Sequence, residues 1–144
     1  MFNPSRDEVR RFFISTWEKS RTGAPLEALE LIASDWIHEH PEYHAILEDP
    51  EAYSRDFSIE QGQTNPFLHL AMHLSLSEQM SIDQPPGVRN AIQALAVRLG
   101  SLHEAMHQAM EALGEMLWES QRQGVAPDAQ RYVEQLERWA RDSR

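Results

Sequence analysis

The sequence predicts an all-α protein, a compact bundle of five or six helices forming one domain over residues 1–144. Three observations predict it. Apolar residues recur at three- and four-residue steps through most of the chain, the spacing of one helix face. Helix start and stop signals bound those stretches. No convincing strand appears between them.

The first helix follows Ser5-Arg6-Asp7-Glu8, a capping-box pattern stiffened by Pro4. Val9, Phe12, Phe13 and Trp17 form its apolar stripe, and Gly23 and Pro25 end it. A second helix starts near Pro25 and is expected to bury Leu26, Leu29, Ile32, Ala33, Trp36 and Ile37. His40-Pro41 interrupts it, because proline lacks the backbone donor and disfavours helical geometry in the residue before it. A short new turn from Pro41 to Glu48 follows, and the run from Asp56 to Thr64 reads as a connecting loop.

Asn65-Pro66 is a helix start, a capping side chain followed by proline at the first helical position. The helix from Phe67 to Ile82 is apolar nearly all round, which marks a central element. Asp83-Gln84-Pro85-Pro86-Gly87 is a turn. From Val88 to Gln123 the stripe Val88, Ile92, Leu95, Leu99, Leu102, Met106, Met110, Leu113 and Leu117 continues without pause. Unbroken, that segment would be a rod of roughly 54 Å, longer than the ~37 Å diameter of a domain this size. A break at Gly100, with two halves folding back on each other, is therefore expected. Gly124 ends the second half, and Asp128 caps a last helix carrying Tyr132, Val133, Leu136, Trp139 and Ala140.

Composition narrows the function. Lys plus Arg number 13 against 23 Asp plus Glu, a formal charge of −10. A phosphate-tracking nucleic-acid binder needs a basic face, so no nucleic-acid partner is expected. The absence of cysteine excludes disulfides, iron–sulfur clusters and thiolate zinc sites. No signal-peptide pattern follows Met1 and no apolar run approaches the roughly 20 residues of a membrane span. A bacterial-type cytoplasmic protein, monomer or homodimer, is the expectation. No phosphate-cradling or dinucleotide glycine motif and no Gly-x-Ser-x-Gly elbow is present.

Histidine carries what chemistry the chain shows. Six of the seven histidines fall in pairs four apart: His40/His44, His69/His73 and His103/His107. Random placement would give about 0.3 such pairs. On a helix, residues four apart stack one turn above the other, near enough to grip one ion. His69 and His73, on a central helix, are expected to be at least partly buried. His103 and His107 flank the apolar stripe, about 55° and 95° from its centre, and Glu111 continues their row. His40 sits at the proline break and need not share a face with His44, so a cap and a surface or core histidine is the plainer reading there. The ligand candidates are therefore His69, His73, His103 and His107, with Glu111 possible and His40 and His44 secondary. Imidazole suits zinc, iron, nickel or copper.

His103-Glu104-Ala105-Met106-His107 matches the His-Glu-x-x-His form of zinc peptidases, in which the glutamate is general base. Those enzymes present substrate along a sheet edge, and position 113, where the extended motif would place a third ligand, is Leu113. The histidine helices also resemble DinB-like helical bundles. That resemblance implies a divalent metal held by His69 or His73 from an early helix and by His103 and His107 from a late one. Over most of its length the chain resembles a small bacterial family known only as a domain of unknown function. The phrases carrying that likeness are His40-Pro41-Glu42-Tyr43-His44, Asn65-Pro66-Phe67-Leu68-His69-Leu70 and Asp83-Gln84-Pro85-Pro86-Gly87. It implies no activity.

The expected function is binding of a divalent transition metal (zinc, iron or nickel) at this histidine site. Catalysis would take the form of metal-dependent hydrolysis of an undefined substrate, with Glu104 or Glu111 as base. The alternative is a metal-free helical adaptor whose histidines cap and hydrogen-bond.

Overall fold

Proline and glycine divide the chain into its elements. A computed structural model describes residues 6–51 and 65–142. Among these, seven α-helices and one 3₁₀ turn form and no strand does. The helices are α1 (Arg6–Thr22), α2 (Ala28–His38), α3 (His44–Leu47), α4 (Pro66–Ile82), α5 (Val88–Leu99), α6 (Leu102–Gln123) and α7 (Ala129–Arg141), with the 3₁₀ turn at Pro41–Tyr43 between α2 and α3. The count exceeds the expected five or six because the Pro41–Glu48 turn closes into a one-turn helix, α3. Ser5 of the expected capping box and the Asp56–Thr64 loop lie outside the described residues. No helix among the described residues is long and apolar enough to cross a membrane. The chain forms two compact units, Met1–Leu74 and Ser75–Arg144, and α4 runs through the division.

In the first unit, Phe13, Trp17, Ala33, Ile37, Tyr43, Leu47, Phe67 and Leu70 make one buried cluster. Trp17 satisfies its indole N–H by donating to Glu48 (2.9 Å). Glu27 and Glu30 start α2 with a reciprocal capping box. The face α2 buries is Glu30, Ala33, Ser34 and Ile37, whereas the expected Leu29 and Ile32 are exposed. The stripe shifts toward α1, where the Ser34 hydroxyl donates to Ser20 Oγ (3.1 Å). Buried Glu30 is matched there by Lys19 (2.9 Å) and the Glu27 N–H (2.9 Å). These contacts hold its carboxyl below the usual carboxylate range, the Glu27 backbone first and Lys19 second.

In the second unit, α5 packs against both α6 and α7. Val88, Ile92, Leu95, Met106, Met110, Leu113, Tyr132, Val133 and Leu136 are buried, as the stripes imply. The break falls at Gly100, whose φ of +82° is open to glycine without the cost other residues bear. Ser101 then caps α6 by accepting from the Glu104 N–H (3.2 Å). Asp128 caps α7 by accepting from the Arg131 N–H (3.0 Å). The Tyr132 hydroxyl donates to Gln79 Oε1 (2.8 Å).

Candidate metal centre

His40 owes its position to Pro41. The proline ring keeps the preceding residue out of helical geometry, and His40 takes φ −128°, ψ 66° at the start of the 3₁₀ turn. Helix α2 stops at His38, and the His40 side chain turns inward to 3% exposure. Its Nδ1 lies 2.8 Å from the Trp36 carbonyl oxygen. A carbonyl only accepts, so Nδ1 carries the proton and the Nε2 of neutral His40 presents a bare lone pair.

That lone pair meets α4. Asn65 starts the helix by accepting from the Phe67 N–H (3.0 Å) and the Leu68 N–H (3.2 Å), with Pro66 at the first helical position. His69 and His73 then project one turn apart, ring centroids 4.9 Å from each other. The Nε2 atoms of His40 and His69 are 3.1 Å apart. The His40 ring is 4.8 Å from that of His69 and 4.7 Å from that of His73. One ligating nitrogen from each of His40, His69 and His73 lies within 4.8 Å of the others.

Aromatic rings wall this group. Trp36 stacks on fully buried His73 at 3.9 Å and 17°. Tyr43 lies parallel to His40, 5.4 Å away at 4°, and edge-on to His69 at 5.7 Å. Burial, and after it the Glu42 carboxylate, hold the Tyr43 hydroxyl above its usual pKa range. Trp36 thus serves twice, its carbonyl fixing the His40 tautomer and its ring seating His73. Sequence patterning assigned Trp36 to the core and gave Tyr43 no role at the site. A hydrogen-bonded partner on the far ring nitrogen is the usual support of a metal-ligating histidine.

The remaining candidates are distributed otherwise. His44 does not join the group: its Nε2 is 2.9 Å from the Ile37 carbonyl oxygen, and its ring stacks on Trp17 at 4.1 Å. His40 and His44 thus do not share a face: His40 stands buried at the start of the 3₁₀ turn, and His44 packs on Trp17. His38, the unpaired seventh histidine, is exposed, 3.3 Å from Ser20 Oγ. His103 and His107 belong to the second unit, on one face of α6 with ring centroids 4.4 Å apart, both partly buried. Glu104 and Glu111 are exposed on the same helix.

The three imidazoles of the first unit fit an ion. Nitrogens each about 2.0–2.1 Å from a metal lie about 2.9 Å apart at a right angle and about 3.3 Å apart at the tetrahedral angle. The 3.1 Å between His40 and His69 falls between those values. The widest spacing the group allows, 4.8 Å, requires one ring to draw in by about 1.5 Å.

No curated protein and no solved structure matches the chain. A family model covers residues 5–138, and the chain belongs to that family, the domain of unknown function DUF1841.

Proposed function

We propose that this protein binds one divalent transition-metal ion, with His40, His69 and His73 as ligands. The observation that carries the proposal is the pairing of His40 and His69. The Trp36 carbonyl fixes the proton of His40 on Nδ1, and the bare Nε2 faces the Nε2 of His69 at 3.1 Å. Zinc, iron and nickel suit such a nitrogen set. His44 is not a ligand in this reading. A hydrolytic role would use an open position on the ion to activate water.

One observation favours the alternative of a metal-free helical adaptor. The same 3.1 Å contact is a complete hydrogen bond when His69 Nε2 carries a proton and donates it to His40. Metal competition titration separates the two readings. The metal reading expects uptake that falls at least tenfold in His69→Ala and is unchanged in His44→Ala. Equal, weak uptake by wild type and His69→Ala would leave the adaptor.

A further inference from the structure

The ligand group holds imidazoles alone. Histidine binds a metal as the neutral base, so the three rings bring no negative charge to the ion. Among the described residues no carboxylate belongs to the group. The surroundings are dry and aromatic: His40 and His73 are 3% and 0% exposed, with Tyr43 and Trp36 on their ring faces. The Trp36 carbonyl, a backbone dipole beside the group, is already taken by the His40 N–H. A divalent ion would therefore carry its full double charge into a desolvated place, where uncompensated charge is strongly disfavoured. His69 is the partly exposed member, which leaves an approach from solvent.

Resting on the metal reading, we infer that the bound ion takes a small anion as a further ligand. The chemical class is a compact oxygen- or nitrogen-donor monoanion, either inorganic or the carboxylate of a small organic acid. Its negative charge supplies what the protein ligands lack. A site built only to hold the fold together would instead close its coordination shell with protein atoms and ignore added anions.

The test uses the full chain loaded with cobalt(II), whose visible bands report coordination directly. Non-coordinating perchlorate holds the ionic strength constant. Sodium azide is titrated first, then sodium acetate in a separate arm. The expected result is a saturable change of the cobalt bands with one anion bound per cobalt, the same in His44→Ala as in wild type. Azide alone producing it assigns an inorganic anion, and acetate producing it as well assigns a carboxylate ligand. Cobalt bands that form and then stay unchanged at the highest azide and acetate concentrations overturn the anion inference and leave the metal site standing. Failure of the chain to take up cobalt at all overturns the metal reading itself, so the two failures are distinguishable.

Discussion

Replacing His73 by phenylalanine separates its packing from its ligation. The side chain is fully buried and stacks on Trp36 at 3.9 Å and 17°. Phenylalanine retains an aromatic ring for the stack, is larger by one ring atom, and removes both nitrogens. Enlarging a fully buried side chain in this way costs about 1–3 kcal/mol. In chelator, His73→Phe is therefore expected to melt about 3–10 °C below wild type. With zinc at about 1,000 times its dissociation constant, binding adds about 4.1 kcal/mol to the native state. Unfolding entropy of about 2.1 cal/mol/K per residue over the chain converts that to a rise of about 14 °C, more if the first unit melts alone. Thermal melts followed by circular dichroism, with chelator and with zinc, measure all four values. Wild type should gain the full shift and His73→Phe little of it. An equal zinc shift in both proteins, or none in wild type, would refute the assignment of His73 as a ligand.

Four further outcomes follow from particular contacts. Pro41→Ala lets α2 continue through His40, so helical dichroism should rise slightly and zinc affinity fall at least tenfold by competition titration; unchanged affinity would show that Pro41 does not place the ligand. Asn65→Ala removes the acceptor of two N–H groups at the start of α4 and should cost about 1 kcal/mol in urea unfolding, with a loss near zero arguing against the cap. Gly100→Ala meets no atom within 4 Å but forces a φ of +82°, so a loss of about 1–2 kcal/mol from backbone conformation alone is expected, and a stabilised variant would contradict it. Because the folded-state Glu30 carboxyl is held low, its stabilisation is present above the unfolded carboxylate range and lost as pH falls through the folded value. Urea midpoints of wild type and Glu30→Gln should therefore differ at neutral pH and converge below about pH 4.

What could be read from the sequence was local. The Asn65-Pro66 start, the glycine stops at 100 and 124 and the Asp128 cap are decided by residues a few positions apart, and each forms as its chemistry dictates. Four-residue spacing likewise put His69 and His73 on one face of α4. At His40/His44 the rule has no hold, since Pro41 breaks the helix between the two, and the rings go to different partners as that break implies. Partnership between His40 and His69 spans 29 residues and depends on how α2 ends against α4. No periodicity encodes that. The buried face of α2 was legible in part: Ala33 and Ile37 are buried as expected, whereas hydrophobicity favoured Leu29 and Ile32 and gave no sign of Glu30 and Ser34, whose burial rests on hydrogen bonds to α1. Trp36 was read by size as a core residue, and its second role, played by a backbone carbonyl, has no side-chain signature.

Direct metal analysis after dialysis against zinc tests the central claim most plainly. Untagged wild-type protein, freed of loosely bound metal, should retain one ion per chain, and His69→Ala should retain almost none. Wild-type protein that comes out of dialysis without metal would contradict the account and leave three clustered imidazoles held by hydrogen bonding and ring packing.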